Sequence, residues 1–180
     1  MEVISVKQKT NIVIDDYQFA NSLKEEVLSL LKVCNPIPQN DSNVKASIHT
    51  EWDWEPDNLK LINLKKYIVN VIVNEFTIGR LSSMSRRNPL VVKNFWANVY
   101  SKGDFANSHD HIPFDWSFAY FVQSRPNHAP FVFTESGKKI RPKEGRFVAF
   151  PSHLKHHVPE HKCEMQRITL SGNMMVALSF

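Results

Sequence analysis

The second half of the chain is cut into short pieces. Val91–Tyr100, Trp116–Val122, Phe131–Thr134, Gly145–Phe150 and Arg167–Leu178 are rich in aromatic and β-branched residues, with Gly, Pro, Asn or Ser between them. Segments of this kind read as strands, and residues 134–146 read as a hairpin tip followed by a return strand. Roughly seven or eight short strands in one chain call for a sandwich or barrel that pairs their edges.

The first half reads differently. Residues 3–14 alternate loosely as strand material, with a break near Thr10-Asn11. Asp15 or Asp16 is expected to cap a helix whose face is Phe19, Leu23, Val27, Leu30 and Leu31, stopped by Asn35-Pro36 and Pro38. Ala46–Glu55 carries Trp52 and Trp54 at strand spacing. Asp57 or Asn58 is expected to cap a second helix running to about Phe76, with Leu61, Leu64, Ile68, Ile72 and Phe76 on one face. Two amphipathic helices need a flat apolar surface to bury against. The expectation is a mainly β fold with supporting helices: a jelly-roll barrel buttressed on one face. No repeat or linker divides the chain, so one domain is expected over residues 1–180, with 1–89 supplying supporting strands and helices and 90–180 the barrel core.

Composition narrows the class. The 180 residues are 42% hydrophobic and 22% charged, as in an ordinary soluble domain. Two cysteines, Cys34 and Cys163, are too few for a secreted disulfide framework. The opening MEVISVKQKTNIVIDD has no basic-then-apolar leader, and no apolar run approaches the roughly 18 residues of a membrane span. A reducing cytoplasm is the expected compartment. The net charge of +4 is spread out, its densest cluster being Lys138, Lys139, Arg141, Lys143 and Arg146. No nucleic-acid motif accompanies it, so neither nucleic acid nor membrane is an expected partner.

The unusual number is eight histidines, four of them between His153 and His161. His109 and His111 are two apart, and on an extended chain such residues point to the same side. A third imidazole could come from FPSHLKHHVPEH, on a strand running back past the first pair. Two close ligands and one remote ligand would make a three-point site with positions left open. Structural zinc sites read instead as paired Cys/His clusters, and neither cysteine has a partner at such spacing. His153, His157 and His161 read as rim or surface residues, though His157 could replace His156 after a one-residue slip.

Four blocks in order carry a resemblance beyond what periodicity gives. They are Trp96-x-Asn98; His109-x-His111 with Ser117-x-x-Tyr120-Phe121-Val122; Pro142-x-Glu144-Gly145-Arg146-x-Val148-x-Phe150-Pro151-Ser152-x-Leu154-x-His156-x-Val158; and Arg167-Ile168-x-Leu170-Ser171-x-Asn173. This half of the chain resembles the small iron(II)/2-oxoglutarate-dependent oxygenases, in their prolyl-4-hydroxylase-like branch of marine bacteria and phages. The resemblance implies a double-stranded β-helix, with iron(II) and 2-oxoglutarate as cofactor and cosubstrate. O2 and a peptide or small-molecule substrate would be the partners, in a bacterial or phage-infected cell. It matches His109 and His156 to iron ligands and Arg167 to the residue pairing with the far carboxylate of 2-oxoglutarate, a role suited to a planar guanidinium. Tyr120 and Asn98 become candidates for further contacts to the cosubstrate.

The second ligand departs from the superfamily's usual carboxylate. Three readings stand: His111 completes a three-histidine site, Asp110 rotates in, or Asp115 reaches back from the following loop. The implied reaction hydroxylates a C–H bond, plausibly of a prolyl residue, while 2-oxoglutarate is decarboxylated to succinate. Two rivals remain: a cupin-like three-histidine metalloenzyme that does not use 2-oxoglutarate, and a non-catalytic jelly-roll binding module.

Overall fold

A computed structural model describes residue 4 and residues 9–37, 43–77 and 89–177. The chain order is β1 (Val13–Asp16), α1 (Ala20–Val33), β2 (Val44–Lys45), β3 (Ile48–His49), α2 (Leu59–Thr77), β4 (Leu90–Tyr100), β5 (Phe105–His109), β6 (Trp116–Gln123), β7 (Phe131–Phe133), β8 (Lys139–Ile140), β9 (Arg146–Pro151), β10 (His156–Val158) and β11 (Arg167–Val176). Two antiparallel sheets hold them. The larger has the order β1-β9-β6-β11-β4-β3, and the smaller has β2-β5-β10-β7-β8.

Period-two alternation makes the larger sheet two-faced. On β4, Phe95, Ala97 and Val99 pack with the helices, as do Ile168 and Leu170 of β11 and Phe147 and Ala149 of β9. Leu23 and Val27 of α1 and Leu61, Leu64 and Ile68 of α2 close that core, all 1% exposed or less. The opposite face looks toward the smaller sheet, where Phe131, Phe133, Val148 and Phe150 fill one end. The expected sandwich with helices on one face is what forms.

Local details differ from the expectations. Asp15 and Asp16 end β1 rather than capping α1, whose N-cap is Phe19 with no side-chain bond. The carboxylates are used elsewhere: Asp15 accepts from the Tyr67 hydroxyl, and Asp16 binds Lys143 and Arg146 of the basic hairpin. In the second helix Asn58 is the cap, its Oδ1 accepting the N–H groups of Lys60 (3.0 Å) and Leu61 (3.2 Å). Ala46–Glu55 is not one strand. It contains β3 and a single bridge from Asp53 to Phe95, because its backbone turns to exchange bonds with Phe95 through Trp52 and Trp54. Of the expected N-terminal strand, residues 3 and 5–8 lie outside the described residues, as does Leu178 at the end of the last one.

Candidate metal and anion site

β5 and β10 are adjacent antiparallel strands, and His109 stands directly opposite His156. β10 also pairs with β7, which lays the Phe131 ring on His156 (centroids 4.8 Å apart, 16° between planes), while Phe150 meets it edge-on. His111 lies beyond the end of β5, so strand alternation does not place it. Its backbone N–H donates to the Ser152 carbonyl (2.9 Å), and its ring sits beside Trp96 and Trp52. Ser152 is itself held, its hydroxyl bonded to Ser117, whose hydroxyl donates to Asn173. Three residues of the sequence blocks thus form a buried chain that fixes the loop carrying His111.

The potential ligand atoms of His109, His111 and His156 lie within 4.8 Å of one another. Nδ1 of His109 is 2.7 Å from the Asn107 carbonyl, and Nδ1 of His156 is 2.9 Å from the Leu154 carbonyl. A carbonyl only accepts, so each Nδ1 carries the proton and each Nε2 keeps its lone pair for a ligand role. Burial pushes all three imidazoles down, His111 to about 4 and His156 to about 3, with His109 adding repulsion to both. They are therefore neutral at pH 7, the state a cation requires of them.

Asp110 and Asp115 are not in the cluster. Asp110 accepts from the Ile112 N–H, and Asp115 from the Val176 N–H. His157 faces away, bonded through Nδ1 to the Thr134 hydroxyl, so no register slip brings it in. His153 is exposed, but His161 is fully buried rather than on the rim.

The same cavity is lined by Arg167, Asn98, Thr169 and Ser171. Arg167 opens β11 opposite Tyr100 and is 1% exposed. Its guanidinium lies 5.0 Å from the Tyr100 ring centroid and 5.3 Å from that of Phe121, while Nε and one terminal nitrogen, Nη1, have no hydrogen-bond partner. Asn98 Oδ1 is likewise buried and unpaired. The Tyr100 hydroxyl serves as an acceptor for the guanidinium, but a buried cation with donors left over is costly, and an anion in the cavity would relieve it. Tyr120 does not line this cavity, because β6 turns it toward Tyr17 and the helices while Ala119 and Phe121 point inward. Thr169 and Ser171 were missed by sequence reasoning, although two-residue steps from Arg167 along one strand identify them. Trp96 and Tyr100 flank Asn98 by the same rule.

No protein-family model matches the chain, and no curated protein matches it. Solved structures do. The viral collagen prolyl hydroxylase vCPH of Paramecium bursaria Chlorella virus-1, as its 2OG complex, aligns at 14% identity and TM-score 0.62, over 93% of this chain and 96% of that one. A Pseudomonas putida prolyl-4-hydroxylase aligns at 13% and 0.65, over 92% of each chain. The fold is a double-stranded β-helix. HygX of Streptomyces hygroscopicus, with nickel and 2-oxoglutarate bound, shares this β-helix at 8% identity and TM-score 0.64, over 95% of this chain and 84% of that one. Within the β-helix the histidine cluster and Arg167 face one interior cavity between the two sheets.

Proposed function

We propose that the chain is an iron(II)- and 2-oxoglutarate-dependent dioxygenase, a single-domain hydroxylase acting on a C–H bond of a prolyl residue in a peptide or protein. The observation that carries this is one cavity holding three neutral imidazoles and a buried guanidinium with two of its nitrogens unsatisfied. Those residues fit the cofactors: three nitrogen donors for a divalent iron, and a planar donor fork for a carboxylate. When bound, iron(II) and 2-oxoglutarate supply activation of O2 coupled to decarboxylation of the cosubstrate, which places a hydroxyl group on the substrate. His109, His111 and His156 would hold the metal, while Arg167, with Asn98 nearby, would bind and orient the cosubstrate. Phe131 and Phe150 cover the His156 ring, and Trp96 that of His111, with apolar surface that would help to keep water from a bound metal.

Trp52, 45% exposed, tilted against Trp96 and edge-on to His111, would meet a substrate entering the site. The prolyl assignment is supported by prolyl hydroxylases among the fold neighbours; HygX, also solved with hygromycin B bound, holds a different kind of molecule on the same β-helix. Two free cysteines suit a reducing cytoplasm, and no described helix is long and apolar enough to cross a membrane.

One observation favours a second reading. His111 stands where a carboxylate would lower the charge of the centre, so a cupin-like enzyme without 2-oxoglutarate shares this ligand set. Anaerobic addition of iron(II) and 2-oxoglutarate separates the two. The wild type is expected to show a metal-to-ligand charge-transfer band in the visible. Arg167→Ala should lose that band yet still bind manganese(II). Iron binding without the band at saturating 2-oxoglutarate would support the cupin-like reading, and no metal binding would overturn both.

A further inference from the structure

A second cluster of ligating side chains lies outside the cavity just described. It joins the loop between β6 and β7, which carries His128, to the loop between β10 and β11, which carries His161 and Cys163. His128 is 3% exposed and His161 fully buried, and their rings stand perpendicular with centroids 4.8 Å apart. His161 Nε2 lies 2.8 Å from the Met165 carbonyl, so Nε2 is the protonated nitrogen and Nδ1 holds the lone pair. Nδ1 of His161 and Nδ1 of His128 are both buried with no hydrogen-bond partner among the described residues. A buried nitrogen left without a partner destabilises the native state unless something satisfies it. The Cys163 thiol completes the group, donating a weak hydrogen bond to the Asn127 carbonyl (3.4 Å) that a metal would replace.

We infer that His128, His161 and Cys163 form a second metal site, for a borderline-soft divalent ion such as zinc(II). The ligand atoms of the three lie within 4.8 Å of one another. Two imidazoles and a thiolate are a donor set that zinc accepts and that hard cations do not. Cys163 is half-buried, so solvent on its side could supply the fourth ligand that zinc takes. On binding, the thiol gives its proton to solvent and the sulfur becomes a thiolate ligand. The loop is already set in place. The His161 N–H donates to the Asp104 carbonyl (2.7 Å), and the Gly103 N–H donates to the His161 carbonyl (2.8 Å).

The surrounding charges are mixed. Arg167 and Arg125 repel a cation near His128, while Glu144 offsets them in part; a Cys163 thiolate formed on binding would add a further negative charge. The proximity to Arg167 gives the site a task. An ion there ties together the two loops that flank the start of β11, where Arg167 enters the cavity. Sequence spacing hid the site because only His161 and Cys163 are close in the chain, and His128 arrives from a different loop.

Cobalt(II) titration of the metal-free wild type, under anaerobic reducing conditions, tests this without reference to turnover. The first cluster contains no sulfur, so a thiolate-to-cobalt charge-transfer band in the near ultraviolet reports the second one alone. We expect that band in the wild type, its loss in Cys163→Ser and His128→Gln, and its survival in Cys34→Ser and His156→Ala. Zinc(II) should bleach the band and protect Cys163 from thiol reagents. Cys163 is partly exposed in a loop, so its serine variant keeps the fold. A wild type without the band at saturating cobalt, or a band that survives Cys163→Ser, overturns the inference. The iron and 2-oxoglutarate reading stands or falls separately, on the visible band and on manganese binding.

Discussion

The three imidazoles of the first cluster are not equally prepared to hold a metal. His109 and His156 each donate Nδ1–H to a backbone carbonyl two residues earlier, which fixes tautomer and ring plane together. Outer partners of this kind are commonly worth 10–100-fold in metal affinity, roughly 1.4–2.7 kcal/mol. His111 is positioned instead by its backbone bond to Ser152 and by two tryptophan rings. Position 111 is therefore where a different ligand is best tolerated. Anaerobic calorimetry with manganese(II) should show binding abolished in His109→Ala and His156→Ala and retained in His111→Asp, since a carboxylate also suits this metal. Equal loss in all three variants would mean that an imidazole is required at 111. Loss in none would remove the site.

Among the elements, β11 carries the most, because it is central in the larger sheet and supplies Arg167, Thr169 and Ser171 to the cavity. Its one glycine has a steric reason. Gly172 pairs with Phe118 across β6, and a Cβ at Gly172 would lie 2.6 Å from the Phe118 ring and 2.8 Å from the Asn94 carbonyl oxygen. The ring occupies the room a side chain would need. Gly172→Ala should destabilise the fold by about 1–3 kcal/mol, as overpacked cores do, seen as a lower urea midpoint with an unchanged slope. An unchanged midpoint would show that Phe118 moves aside at no cost.

Strands like β11 were legible because apolar and β-branched residues fill both faces. β5 and β10 were not legible from composition, and only the placement of their histidines suggested an extended chain and a returning strand. FANSH and HHV are short and polar, since their inward positions carry the histidines. The site residues were therefore readable as chemistry first, and their strands only through that chemistry. Asp15 and Asp16 misled for a related reason: a carboxylate before an apolar run resembles a cap, and only tertiary contact shows that Tyr67, Lys143 and Arg146 claim them. His161 failed in the opposite direction. A polar residue in a loop reads as surface, whereas this loop folds back over Asp104 and buries it.

For the molecule as a whole, the buried histidines make stability depend on pH. His49, His109, His111, His128 and His156 all lie below the ordinary imidazole value of 6.5, each chiefly because burial disfavours the charged form; His111 and His128 are near 4 and His156 near 3. The unfolded chain takes up protons at these positions as pH falls through 6.5, while the folded chain does not. The unfolded state then binds more protons, so stability must decline on acidification. The stability is complete above about pH 6.5 and is lost down to about pH 4, where His111 and His128 begin to charge in the folded state. Carboxylate pairs act later: Asp16 is held below 3.8 by Arg146 and Lys143, so its contribution disappears only beneath this window. The thermal midpoint of metal-free protein should thus be level from about pH 8 to 7 and fall steadily between about pH 6.5 and 4.5. Manganese(II) binds only neutral imidazoles, so adding it should shift the acid limb to lower pH in the wild type, and the shift should be absent in His156→Ala. A midpoint that stays flat through this window would mean that the buried rings accept protons in the folded state, and the neutral triad assigned to the metal would not exist.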